Sequence, residues 1–343
     1  MGASVFLATL MLLGQATSGG TPVDQSIQLS DDLKQTMTLF DTLKSSVKSE
    51  KEAQQLVVQL NEKLQLIAQS ATKYQAQAKT EEARVKLAIV RFEALASGGI
   101  QSAAQTETLA TEIATKYRES SAICPAIERL DFVKYLGLEK YTAFEAILKQ
   151  SKNSEVVAST LLANYFSQAM SDTADVNKFR ELSQTYPKTK AGQRASRIFD
   201  FRTKLSLSTP MPELELELLS GYKLQVGSLK GRVVVIDFWG MWQSACVAEM
   251  PEIRNYVAKY PTKIAWIGVN TDTCTKAYLT QKLKDFGANW QNVYAGSPTG
   301  QVPMDLGIIA YPSKIIIDSF GIVRYVPSIR DWRSVLDEAL SKA

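Results

Sequence analysis

Val233-Val-Val-Ile-Asp-Phe-Trp-Gly-Met-Trp-Gln-Ser-Ala-Cys-Val-Ala-Glu-Met-Pro251 is the stretch whose reading decides the fold. Val233–Phe238 is an apolar, β-branched run interrupted by Asp237, the pattern of a strand buried on both faces. Trp239-Gly240-Met241-Trp242 makes an aromatic turn, and a helix is expected from about Ala245 to Lys259. Pro251 falls inside that helix and should kink it, because its missing N–H removes one helical hydrogen bond. Gln243 stands where the helix begins, and Cys246 lies one turn inward.

The surroundings extend the pattern on both sides. Upstream, Glu213-Leu-Glu-Leu-Glu-Leu218 alternates strictly, a strand with one wet face, and Ser220-Gly221 turns it into Tyr222–Val226. Downstream come a strand at Ile264–Val269, a helix at about Thr275–Phe286 and a strand at Lys314–Ile317. A turn at Asp318–Gly321, a strand at Ile322–Val326 and a closing helix at about Asp331–Ser341 complete the chain. Strands alternating with helices and ending in an antiparallel hairpin predict an α/β domain with a mixed central sheet and helices on both faces.

Before this domain the period is helical, from about Ile27 to Leu205. Leu56, Leu60, Leu64, Ile67, Ala71, Tyr74 and Ala78 recur every three or four residues, the seam of a long amphipathic helix able to pack as a hairpin or coiled coil. Ser97-Gly98-Gly99 breaks the pattern. Phe179–Ala195 reads as one tetratricopeptide-type helical pair, its first helix ending at Tyr186-Pro187. Pro210 and Pro212 mark a linker. The expected organisation is a leader at 1–20, an all-α domain at 21–205, a linker at 206–212 and the α/β domain at 213–343.

Composition narrows the chemistry. The 343 residues carry 39 basic and 35 acidic side chains, spread along the chain, and no nucleic-acid footprint emerges. Histidine is absent, which excludes Ser-His-Asp and Cys-His mechanisms and removes the commonest zinc ligand. Cys124, Cys246 and Cys274 are too few and scattered for a metal site or disulfide framework, and no cofactor is expected. Val5–Leu13 is a short apolar run followed by Gly14-Gln15-Ala16, which predicts a cleaved signal peptide and export to the periplasm or cell envelope, although no Lys or Arg precedes it. Without that leader the expectation is bacterial cytoplasm. No stable membrane span is expected after its removal.

Taken in order, Gly231, Asp237, Trp239, Trp242, Cys246-x-x-Glu249-x-Pro251 and Tyr311-Pro312 before Ile-Ile-Ile-Asp-x-x-Gly resemble the thioredoxin superfamily, specifically its TlpA-type and AhpC/TSA-like redoxins. The resemblance covers the C-terminal 135 or so residues. It implies a thioredoxin-like fold and a Cys-x-x-Cys site, of which Gln243 occupies the first place and Cys246 the second. It also implies a buried Asp237 with a raised pKa that exchanges protons with the second sulfur. Pro312 is implied to be cis, setting the Tyr311 backbone where an extended substrate peptide pairs with it.

Thiol–disulfide exchange begins with a thiolate at the helix N-terminus, and Gln243 supplies none. The resemblance therefore implies a degenerate site that binds a polypeptide without exchanging disulfides. The alternative is an oxidoreductase or thiol peroxidase acting through Cys246 alone, with Asp237 and Glu249 as accessory groups. Cys246 has three open readings: an inert core thiol, a single reactive cysteine, or a partner for Cys274. Trp239, Trp242, Gln243, Tyr311 and Pro312 form the expected active-site shell and substrate shelf, although two of the three aromatics read equally well as core. Self-association is expected through the N-terminal helices.

Overall fold

In the computed structural model, residues 21–44, 47, 49–98, 103–169, 175–326 and 331–343 are described; the expected leader at 1–20 lies outside them. Contacts divide the chain into two compact units, residues 1–167 with 186–192, and residues 168–185 with 193–343.

The first unit is helical: α1 (Pro22–Lys44), α2 (Glu50–Gln77), α3 (Glu81–Ser97), α4 (Ala103–Tyr117), α5 (Cys124–Glu128), α6 (Asp131–Leu148) and α7 (Ser154–Ala169). The predicted seam lies on α2, where Leu56, Leu60, Leu64, Ile67 and Ala71 are buried, and α2 packs on both α1 and α3. Polar caps set its start and that of its neighbour. Ser49 Oγ accepts from Glu52 N at 3.3 Å, and Thr80 Oγ1 accepts from Ala83 N at 3.2 Å. Each satisfies one of the donors that a helix leaves unpaired in its first turn. Ser49→Ala is expected to lower the stability of this unit by about 0.5–1 kcal/mol, read as a shift of its urea midpoint. Deeper in the unit, Phe92, Phe132 and Phe144 stack with centroid separations of 5.1 and 4.4 Å.

Two helices follow, α8 (Asn177–Thr185) and α9 (Lys190–Lys204), the helical pair expected around Tyr186-Pro187. Within the second unit, the Arg202 guanidinium lies 4.8 Å from the Phe179 ring centroid. Arg194 and Asp305 pair at 2.7 Å, and Arg202 bonds the Met304 and Asp305 carbonyls. Most of α9 thus groups with the α/β unit, whereas the sequence placed the helical domain's end near 205.

The α/β elements are β1 (Glu215–Glu217), β2 (Lys223–Gln225), β3 (Val233–Trp239), α10 (Ser244–Lys259), β4 (Ile264–Asn270), α11 (Lys276–Asp285), β5 (Gln291–Tyr294), α12 (Gln301–Leu306), β6 (Ser313–Ile317), β7 (Val323–Tyr325) and α13 (Trp332–Ser341). Five strands form one mixed sheet in the order β5-β4-β3-β6-β7. β3 runs parallel to β4 and antiparallel to β6, so it is the central strand, and every residue of it is buried. Its alternation splits the core. Val234, Ile236 and Phe238 join one cluster, while Val233 and Val235 face the other with Trp266, Trp332 and Leu336. By the same alternation Asp237 and Trp239 share the second face.

Each outer strand of the five-stranded sheet also meets a flanking segment. The 208–211 segment pairs with β7 through Val323 N→Thr209 O and Ser208 N→Val323 O, each 2.8 Å, so the stretch expected as a linker extends the sheet. At the other edge Leu218 bridges to Val293 on β5. The sequence reading had omitted β5 and α12, which are only four and six residues long.

Candidate active site

The site lies where β3 ends and α10 begins. Trp239 O accepts from Thr271 N at 2.9 Å, holding the ends of β3 and β4 side by side. Asp272, at the end of that second strand, reaches across to the aromatic turn. Its carboxylate accepts from Met241 N at 2.9 Å and from Trp242 N at 3.3 Å. Burial raises the Asp272 pKa, and these amides together with the Asn270 side chain offset part of the rise. The turn that starts α10 is thereby tied to β4 by a side chain that the sequence reading missed.

Gln243 is the N-cap of α10, with extended backbone and no side-chain hydrogen bond to the helix. Its amide Nε2 instead donates to Tyr311 O at 3.4 Å, a long contact. The Tyr311-Pro312 bond is cis, as the resemblance implied. Trp242 is 52% exposed, and its ring meets the Tyr311 ring edge-on, centroids 5.3 Å apart. Trp239 has a different place: it is 1% exposed and packs among Cys246, Met250, Cys274, Leu279 and Leu283. Trp242, Gln243 and Tyr311 therefore meet at the mouth, and Trp239 belongs to the core beneath it.

Cys246 is 2% exposed. Burial pushes its thiol up to about 11; a backbone hydrogen bond at Gly240 and the Lys314 charge work against this, while Asp237 and Glu249 add to it. All three cysteines are buried thiols, with Cys246 and Cys274 in one apolar cluster and no disulfide between them.

Asp237 comes together with Glu249 through a residue that the sequence reading passed over. Lys314 is the register partner of Asp237 across β3–β6, and its Nζ lies 3.0 Å from Asp237 Oδ1 and 2.6 Å from Glu249 Oε2. Lys314 is 2% exposed and Asp237 1%. Trp266 Nε1 donates to Asp237 Oδ2 at 3.2 Å, and Trp332 Nε1 donates to Glu249 Oε1 at 3.1 Å. One cation thus joins β3, α10 and β6, and α13 joins them through Trp332. The available signal was a lone charge in Ser313-Lys-Ile-Ile-Ile317, a strand otherwise fit for the core.

Burial raises the Asp237 pKa, an effect that the Lys314 charge reduces without cancelling. Burial alone would lower Lys314, but the two carboxylates outweigh it and hold the amine above its ordinary value. The raised Asp237 makes its contribution to stability complete below the unfolded carboxyl pKa of about 3.9, and that contribution is lost as pH rises through the folded value. Asp237→Asn is therefore expected to flatten the fall in urea midpoint between acid and neutral pH; an unchanged pH profile would contradict this.

Residues 207–326 match the model of the AhpC/TSA family. The thiol:disulfide interchange protein DsbE of Vibrio cholerae is 33% identical over 134 residues, 37% of this chain and 69% of that protein. The chain belongs to this family, through a TlpA-type thioredoxin-like domain at its C-terminal end. The thiol-disulfide oxidoreductase ResA of Bacillus cereus is 27% identical over 148 residues, 42% of this chain and 82% of its own length. Relatives from Bacillus subtilis and Xylella fastidiosa are spanned to 66% and 59% of their lengths. The thioredoxin domain of a thiol-disulfide oxidoreductase from Bacteroides vulgatus aligns with a TM-score of 0.33 at 21% identity, covering 39% of this chain and 99% of that domain.

The redoxin-like domain has the Asp237 and Glu249 carboxylates, the Trp242–Tyr311 mouth and the Cys246 thiol. What stands at its helix N-terminus is an amide. At pH 7 a thiol titrating at about 11 is ionised to about one part in ten thousand.

Proposed function

We propose that the thioredoxin-like domain binds an extended polypeptide at the mouth formed by Trp242, Gln243 and Tyr311, without exchanging disulfides. The observation that carries this reading is the state of Cys246, the sole cysteine of the motif: buried, with its thiol pushed up to about 11, behind a helix start occupied by Gln243. The half-exposed Trp242 against Tyr311 supplies the apolar contact, and the Tyr311 backbone beside it supplies a hydrogen-bonding partner. Activity through Cys246 alone is the second reading, and the same burial disfavours it. Export is part of the proposal and rests on the Val5–Leu13 run with its small-residue flank. Self-association through the helical unit is supported by Val57, Val58 and Leu66, all on α2 and 45–55% exposed.

Binding of an unfolded, cysteine-blocked polypeptide to the full chain, followed by fluorescence anisotropy of the labelled peptide, tests the reading. Trp242→Ala is expected to weaken binding by roughly 30-fold, the size of an aromatic hot spot. Cys246→Ser should bind as the wild type does. Disulfide-reductase or peroxidase turnover in the wild type that vanishes in Cys246→Ser would overturn the proposal.

A further inference from the structure

The Trp242 ring is half-exposed, yet it is held on three sides. Its edge meets Tyr311, as described above. Its Nε1 donates to Thr271 Oγ1 at 3.3 Å, and that hydroxyl donates in turn to Trp239 O at 3.0 Å. Beneath the ring lies Gly240, where a Cβ would fall 2.3 Å from Trp242 Nε1 and 2.6 Å from its Cδ1. The ring therefore rests on backbone that any other residue would cover. The turn carrying the ring has a further support. Met241 N donates to both oxygens of Asp272 at 2.9 Å, and Trp242 N donates to Oδ1 at 3.3 Å. That carboxylate is itself fixed, because Asn270 Nδ2 donates to its Oδ2 at 2.5 Å and the Asp272 amide donates to Asn270 Oδ1 at 3.2 Å.

We propose that Asp272 is a positioning residue of the mouth, holding the Gly240–Trp242 turn in the shape that sets the Trp242 ring against Tyr311. The inference rests on the binding reading above and adds the reason why an exposed ring keeps one place. A bound chain gains most from an aromatic surface already in its bound conformation, because ordering a mobile side chain weakens association. Asp272 is 7% exposed, so it acts through the turn and not by touching the peptide. Its chemistry suits that task. An ionised carboxylate only accepts, and the groups facing it are all N–H donors: two turn amides and the Asn270 side chain. An asparagine of the same shape would turn its own NH2 toward one of those donors and leave it without an acceptor.

Two measurements on the full chain test the proposal. In 19F NMR with 5-fluorotryptophan, the five indole lines are assigned by single Trp→Phe variants. Asp272→Asn is expected to narrow the Trp242 line several-fold as the ring gains motion, while the Trp266 and Trp332 lines of the core stay as they are. In the anisotropy assay with cysteine-blocked peptide, Asp272→Asn should weaken binding roughly 10-fold. The same change in a Trp242→Ala background should have no further effect, because the ring it positions is gone. A merely structural role would move the core lines and weaken binding in both backgrounds. An unchanged Trp242 line, or a loss of affinity equal in the two backgrounds, would overturn the proposal. Should Asp272→Asn not fold, amide exchange in the wild type provides the second reading: the Met241 and Trp242 amides are expected to exchange slowly, and fast exchange of both would overturn it. A wild type that binds no peptide would overturn the binding reading, and the Trp242 line in Asp272→Asn would still decide the role of Asp272.

Discussion

Gln243→Cys is expected to raise the rate of thiol alkylation at pH 7 by roughly 100-fold and to raise disulfide-reductase activity above that of the wild type. The size follows from two opposing effects. Cys246 titrates at about 11, so roughly one thiol in ten thousand is ionised at pH 7. A cysteine at the N-cap of α10 would feel the partial positive charge of a 16-residue helix and would titrate near 7, with about half as thiolate. The gain in thiolate is several thousand-fold. Nucleophilicity falls with pKa at a Brønsted slope of about 0.4–0.5, which returns some 50-fold of it. The net is about two orders of magnitude before any gain in access is counted. Iodoacetamide kinetics with peptide mapping would locate the reaction, and Gln243→Cys combined with Cys246→Ser should alkylate quickly yet fail to turn over. A Gln243→Cys protein that reacts as slowly as the wild type would show that the helix start is not built to stabilise a thiolate.

Lys314→Met should cost roughly 3–5 kcal/mol of stability, the usual penalty for breaking a buried ion pair from one side. Lys314 faces Asp237 at 3.0 Å and Glu249 at 2.6 Å, and removing the cation leaves Asp237 with its indole partner and Glu249 with its indole partner and Arg333, whose Nη2 lies 3.7 Å from Glu249 Oε1. Burial already raises Asp237 in the presence of Lys314. Without it the raised pKa should climb further, so the loss is expected to be largest at neutral pH and to shrink toward pH 4, where the carboxyl is protonated. Urea denaturation at both pH values measures this. Lys314→Met with Asp237→Asn should recover part of the stability, because one uncompensated charge is removed with its partner. A loss independent of pH would mean that Lys314 acts through its apolar stem instead of its charge.

Much of the domain was legible in Val233–Pro251. A continuous apolar run, an aromatic turn and an amphipathic segment are local signals, and they produced β3 and α10 nearly to the residue. Glu213–Leu218 likewise showed its alternation, with Leu216 buried between exposed Glu215 and Glu217 in β1. The short β5 escaped because four residues, Gln291–Tyr294, carry no period that distinguishes a strand from a loop. The 208–211 segment escaped for another reason. Its prolines read as a linker, and only pairing with β7 makes it part of the sheet.

The same division runs through the site. Cys246, Gln243, Asp237 and Glu249 were visible as a spacing, since their positions along one strand, turn and helix determine which end of the domain they occupy. Which groups touch was settled by strand register, and register is a relation between distant segments. Lys314 follows Asp237 by 77 positions and Asp272 follows Met241 by 31, yet each pair is in direct contact. Trp239 and Trp242, three residues apart, were indistinguishable as aromatic residues of one turn. Packing buried the first beneath α10 and left the second at the mouth. The identity of Gln243 alone determined that the helix begins without a nucleophile. That the remaining sulfur lies buried, its thiol pushed up to about 11, was decided only when β4, α11 and the Asp237–Lys314–Glu249 cluster closed around α10, because desolvation depends on neighbours that the chain brings from elsewhere.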